Sequence, residues 1–194
     1  MADMSAAVNR STAVDLSTTR QPPALASSPV LRQLPPATRL VLRGGSEAIA
    51  AATAALGLQR SEFPCRAVRA DGRAALWLGP DERLLIGPAD AAGEWTGLLQ
   101  RALAGMAHSL VETSHAQTAF EISGARAAIT LNTGCPLDLD QASFPVDMCT
   151  RTVFAKAQVV LWRTSPETFR IETGRSFASY VTKILALAAS ELAT

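Results

Sequence analysis

A long-period repeat runs through this chain. Shifted against itself by 80 positions, the sequence lays Leu40, Leu42, Gly44 and Ile49 over Phe120, Ile122, Gly124 and Ile129. Phe63-Pro64 meets Phe144-Pro145 at a shift of 81, and Leu76-Trp77 with Ile86 meets Leu161-Trp162 with Ile171 at 85. Trp95, Leu98, Leu99, Ala102 and Met106 meet Phe177, Tyr180, Val181, Ile184 and Ala188 at 82. An ordered series whose shift drifts only by small insertions reads as one structural unit used twice.

Each copy reads as strand, helix, a loop holding Phe-Pro, two or three strands, and a longer helix. Thr38 to Arg43 alternates as a strand does, and Ser46 is the N-cap candidate for an Ala-rich helix running to Leu56. Arg73 to Gly79 and Arg83 to Gly87 flank Pro80-Asp81-Glu82, a turn in which proline presets φ, so the two runs are expected to pair as a hairpin. Trp95, Leu98, Leu99, Ala102 and Met106 fall on one helical face. In the second copy, Thr118 to Ser123 is the first strand and Ala125 to Asn132 the helix, with Gly134 as its left-handed cap. Arg151 to Arg163 supplies strand sequence, Thr168 to Thr173 the closing strand, and Ser176 caps a helix with Phe177, Tyr180, Val181, Ile184 and Ala188 inward. Leu110 to Thr113 reads as an additional strand between the copies. The expected fold is α+β, two pseudo-symmetric strand-helix-strand-strand-strand-helix repeats forming one body with sheet on one side and helices on the other.

The first copy spans 38–107 and the second 108–194. Before them, residues 1–37 hold five of the eleven prolines and many Ser, Thr and Ala without an apolar period. That stretch cannot bury enough surface to offset its chain entropy, so it is expected to be a flexible arm or one ordered by a partner.

Composition narrows the function. Eighteen Lys plus Arg against seventeen Asp plus Glu leave a net charge of +1, without the basic excess that draws nucleic acid or an anionic membrane. Only 18% of residues are charged, which fits either a surface made for another protein or a bias toward Arg and Ala. The longest apolar candidate, Ala48 to Leu58, is too short to span a bilayer, and no basic, then apolar, leader opens the chain, so the expected location is cytoplasmic. Cys65, Cys135 and Cys149 are too few and too widely spaced for a disulfide framework or a zinc cluster and read as reduced packing thiols.

Catalysis needs a positioned nucleophile, base or metal, and no glycine-rich phosphate motif, H-E-x-x-H, C-x-x-C or G-x-S-x-G is present. Gly44-Gly45 opens a helix and offers at most a weak anion signal. His115, beside Ser114 and near Glu112, is the local cluster with acid-base potential, yet on an extended segment Ser114 and His115 point to opposite faces. His108 is expected at a helix end. Asp138 and Asp140 provide two carboxylates, too few for a dedicated cation site. Cys135 follows a helix end, where the dipole disfavours a thiolate, and Trp77 and Trp162 are expected as core or interface anchors. Arg126, Arg151 and Arg175 are interface candidates or solvated charges. No residue is assigned to a catalytic, cofactor or metal site.

The blocks themselves resemble a known family. Ala75-Leu76-Trp77-Leu78-Gly79-Pro80-Asp81-Glu82-Arg83-Leu84-Leu85 resembles a segment of the gamma subunit of heterotetrameric sarcosine oxidase. Gly134-Cys135-Pro136-Leu137-Asp138-Leu139, Phe144-Pro145, Arg151-Thr152, Val160-Leu161-Trp162-Arg163 and Arg175-Ser176-Phe177-Ala178 follow in that family's order. Arg83 stands where the family usually has Trp, and Asp147 where it usually has Gly. The gamma chain is in turn similar to the folate-binding domain of aminomethyltransferases, whose Asp-x-Ser-His block resembles Glu112-Thr113-Ser114-His115. The resemblance implies a non-catalytic subunit of an enzyme that oxidises sarcosine to glycine, hydrogen peroxide and formaldehyde, or methylene-tetrahydrofolate when folate is present. It implies alpha, beta and delta subunits as partners, chiefly alpha, with FAD, FMN, NAD, tetrahydrofolate and zinc held on those subunits. The alternative is an independent folate-binding or aminomethyltransferase-like module.

Overall fold

The computed structural model describes residues 28–61 and 63–191. The first sheet is built from β2 (Thr38–Gly44), β3 (Ala67–Ala70), β4 (Arg73–Gly79), β5 (Glu82–Gly87) and β6 (His108–Glu112), in the order β3-β4-β5-β2-β6. The second contains β1 (Val30–Gln33), β7 (Gln117–Ser123), β8 (Cys149–Phe154), β9 (Ala157–Ser165) and β10 (Thr168–Gly174), in the order β1-β7-β10-β9-β8. Every pairing between these strands is antiparallel. Helices α1 (Ser46–Ala55) and α2 (Ala92–Ala102) pack on the first sheet, and α3 (Ala127–Asn132) and α4 (Ala178–Glu191) on the second.

Alternation along the strands explains the layers. In the first sheet, Leu40, Leu42, Ala75 and Leu85 turn to α1 and α2, where Ile49, Ala52, Trp95 and Leu99 close a core. In the second, Phe120, Ile122, Leu161, Phe169 and Ile171 meet Leu131, Val181 and Leu185. The intervening residues are apolar as well: Ala74, Leu76, Leu84 and Ile86 pack against Cys149, Val160 and Trp162 across the gap between the sheets. Because both faces of the central strands are apolar, the expected sheet-on-one-side layout is corrected. Both sheets lie in the middle, with helices on each outside. Backbone bonds join them at one corner, where Ala67 donates to the Asp147 carbonyl at 2.8 Å and Cys149 to that of Cys65 at 2.9 Å.

Local chemistry moves several boundaries. The N-cap of α1 is Gly45, and Ser46 is the first helical residue. Gly134 has no left-handed φ; a side chain there would stand 2.9 Å from the Phe154 ring, so absence of a Cβ is what the position requires. Helix α2 ends at Leu103, its C-cap, and a left-handed Gly105 follows, leaving Met106 outside the helix and exposed. A 3₁₀ turn over Arg175–Phe177 precedes α4, so Ser176 lies within that turn and Phe177 is 44% exposed, not inward. Pro80 and Asp81 alone join β4 to β5, giving the expected hairpin.

Within residues 1–37, one short segment is paired with the chain's own sheet. Val30–Gln33 form β1, paired with β7 in the second sheet, while Leu31 packs against that sheet's core. Four residues carry no readable period, and it is the open edge of β7 that orders them. Residues 1–27 lie outside the described residues. The strand expected near Leu110 to Thr113 is β6, which completes the first sheet against β2.

Candidate functional site

Most charge between the sheets is internally committed. Arg39 on β2 reaches across to Glu172 on β10, Nε to Oε2 at 2.6 Å, with both side chains 2% exposed. Arg170 flanks the other carboxylate oxygen at 2.6 Å. Nearby, buried Glu82 on β5 accepts from Arg151 on β8 at 2.6 Å and from Arg43 on β2 at 2.7 Å. The Arg151 hydrogen bond, with the charge of Arg43 beside it, holds the Glu82 carboxyl below the usual carboxylate range. Arg83 lies over the Trp77 ring at 5.7 Å and donates to the carbonyls of Gly79 and Glu82. A groove of about 680 Å³ is lined by Arg32, Arg69, Arg170 and Trp162. Its arginines are already paired, Arg32 with Glu121 at 2.8 Å and Arg69 with Asp147 at 3.1 Å.

The motif residues are placed as follows. Ser114 and His115 are in a turn between β6 and β7, so the extended-segment expectation fails; both line one cavity of about 510 Å³, together with Arg39, Gln117, Arg175 and the first residues of α4. Ser114 Oγ accepts the Arg39 backbone N–H at 2.9 Å, so its hydroxyl braces the turn. Glu112 is an exposed residue of β6 opposite Leu40. His108 begins β6 and does not end a helix; its Nδ1 lies 2.9 Å from the Met106 carbonyl. Asp138 accepts from Asp140 N–H at 2.9 Å and from the Ser143 hydroxyl at 2.6 Å, the latter lowering its pKa, while Asp140 accepts from Ala142 N–H at 2.8 Å. Both carboxylates therefore close local turns.

Cys135 is buried beside Leu131 and Leu139. Cys149 is buried between the sheets, its thiol pushed up to about 12 by desolvation, and donates to the Trp77 carbonyl. Among the described residues no cluster of three or more His, Cys, Asp or Glu is arranged to hold a metal ion. Sequence reasoning passed over Arg39 and Glu172, because an arginine and a glutamate inside alternating strands read as solvent-facing positions. Their burial follows only from the second sheet lying across the first.

Two antiparallel sheets under outer helices, tied across the gap by the Arg39–Glu172 and Arg151–Glu82 ion pairs, define an α+β module. A matching description, "Sarcosine oxidase, gamma subunit family", covers residues 43–191. The chain belongs to this family. It is 34% identical to the sarcosine oxidase gamma subunit of Arthrobacter sp., over 98% of this chain and 94% of that one. The gamma subunit of Corynebacterium sp. strain P-1 is 33% identical over the same shares. Among solved structures, a chain of the heterotetrameric sarcosine oxidase from Corynebacterium sp. U-96 superposes with a TM-score of 0.79 at 32% identity, covering 86% of each chain. The glycine cleavage aminomethyltransferase T of Bartonella henselae matches with a TM-score of 0.62 at 13% identity, over 85% of this chain and 50% of that one; this likeness is one of fold alone. No described helix is long and apolar enough to cross a membrane.

Proposed function

We propose that this chain is a non-catalytic gamma subunit that packs into a cytoplasmic heterotetrameric sarcosine oxidase, chiefly against the alpha subunit, beside beta and delta. In this reading the assembly demethylates sarcosine to glycine with hydrogen peroxide and formaldehyde, or methylene-tetrahydrofolate. FAD, FMN, NAD, tetrahydrofolate and zinc sit on the partner subunits, and no residue of this chain is catalytic. The observation that carries the reading is 34% identity to a sarcosine oxidase gamma subunit along nearly the whole chain. The pairing of the buried carboxylates, Glu172 with Arg39 and Glu82 with Arg151, supports it, since paired groups are poor acids, bases and nucleophiles.

The finer architecture is part of the same proposal: residues 38–107 and 108–194 are two copies of one unit related by a pseudo-two-fold axis, preceded by an N-terminal arm over 1–37. Its support is the strand order. Replacing β2, β3, β4 and β5 by β7, β8, β9 and β10, and β6 by β1, turns the first sheet's order into the second's. In this reading each copy's sheet is closed by a strand from outside the copy's core segment.

Affinity purification of the tagged chain from its native cytosol tests the function. Co-purifying flavin-bearing chains with sarcosine-dependent peroxide release is the expected result. An oxidase that keeps full activity and thermal stability after this chain is stripped away would remove the structural role.

A further inference from the structure

We infer that Cys65 and Cys149 are a redox-sensitive pair, which hydrogen peroxide converts to a disulfide that ties the two sheets together. The source of the peroxide rests on the oxidase reading above; the site itself rests on geometry.

The two cysteines meet at the corner where the sheets are joined. Arg66 and Met148 form an isolated antiparallel bridge, flanked by the bonds from Ala67 N–H to the Asp147 carbonyl and from Cys149 N–H to the Cys65 carbonyl. Cys65 and Cys149 are therefore cross-strand neighbours. A facing pair joined by a backbone bond holds its Cα atoms about 5.5 Å apart, inside the range of about 4.4–6.8 Å that a disulfide spans. The sulfurs share this corner. Cys149 Sγ donates to the Trp77 carbonyl at 3.5 Å, and Trp77 N–H in turn donates to the carbonyl of Arg66, the residue next to Cys65. The charge of Cys65 acts on the Cys149 thiol more strongly than that of Arg83 or Arg66. Cys65 is also held in a left-handed conformation, φ 56°, which a non-glycine residue keeps only where its surroundings fix it.

Access sets the order of events. Cys65 is half-buried, whereas Cys149 is fully buried and desolvation disfavours its thiolate, so Cys65 meets the oxidant first. Its thiolate attacks one peroxide oxygen, the O–O bond breaks, and Cys65 becomes a sulfenic acid while the departing hydroxide is protonated to water. The Cys149 sulfur then attacks the Cys65 sulfur, the S–O bond breaks, and the hydroxyl leaves as water with the Cys149 proton. One peroxide is reduced to two waters and two thiols are oxidised to one disulfide. Cys135 packs in a different core and takes no part.

The reduced full chain, treated with hydrogen peroxide at about pH 8, tests the site. Intact mass is expected to fall by two hydrogens, and a non-reducing digest to give one linked pair of peptides containing Cys65 and Cys149. Because the link closes a long loop across the sheets, Tm rises by about 5 °C or more, and a reductant reverses the rise. Cys65→Ser loses both the mass change and the Tm rise, while Cys135→Ser keeps them. Oxidation of Cys65 to the sulfinic acid without a link, a link between two chains, or a chain unchanged by peroxide would each overturn the site. The source is tested apart, in the purified oxidase turning over sarcosine, where the same linked peptides are expected without added peroxide and are lost when catalase is present. A link that forms with added peroxide but never during turnover keeps the site and removes the oxidase as the source of its oxidant.

Discussion

Arg39 and Glu172 meet where water is absent, and a buried pair is most sensitive to losing one member. Glu172→Gln strands Arg39 between the sheets and is expected to cost about 3–5 kcal/mol, whereas Arg39→Met leaves Glu172 paired with Arg170 and is expected to cost less. The double variant Arg39→Met/Glu172→Met removes both charges and should cost well under the sum. Urea denaturation of the three variants measures this, and additive losses would mean the two groups do not depend on each other. Glu82 gives a pH signature. Its folded-state pKa lies below the ordinary value of 4.5, so its contribution is complete above that value and is lost as pH falls through and below it. Arg43 and Arg151 are 58% and 42% exposed, so the effect is modest and screened by salt. Glu82→Gln is expected to flatten the acid limb of the stability profile between about pH 5 and 3; an unchanged limb would place the acid sensitivity elsewhere.

At the scale of elements, strand β1 shows how far pairing can order a segment that has no pattern of its own. Leu31 packs on the second core, while Val30 is 62% exposed. Leu31→Asp is therefore expected to destabilise by about 1–2 kcal/mol and Val30→Lys to stay within about 0.5 kcal/mol, read from denaturation midpoints. Equal effects would show that β1 contributes no packing. The hairpin β4–β5 and the Trp95 and Leu99 face of α2 were legible from turn chemistry and period, because both signals are local. The end of α2 was not. Met106 continues the apolar spacing, yet Leu103 and Gly105 have already closed the helix, and backbone conformation overrides the pattern. Phe177 misled in the same way, with the 3₁₀ turn rotating it outward.

For the whole molecule, the decisive contact is the one between the two sheets, and Cys149 reports on it. The thiol is fully buried there and held at about 12, whereas Cys65 at the same corner is half-buried. Mild alkylation near pH 8 is expected to modify Cys65 in the native protein and Cys149 only at the rate of global opening. Mass spectrometry of the labelled peptides would show this. Equal native-state rates for the two cysteines would mean the sheets separate without unfolding.

The chain's apolar alternation, its turn residues and its family blocks were enough to determine an α+β fold and membership of a subunit family, because periodicity, turn chemistry and ordered blocks are properties of neighbouring residues. What only the tertiary structure decided depends on the opposite face of each sheet: that the sheets meet in the middle, that Arg39 is buried against Glu172, and that Ser114, His115, Arg175 and the start of α4 surround one cavity. A residue's place in a strand fixes its face, but whether that face meets water or another sheet is set by distant segments, such as Ser114 and Glu172, 75 and 133 positions from Arg39.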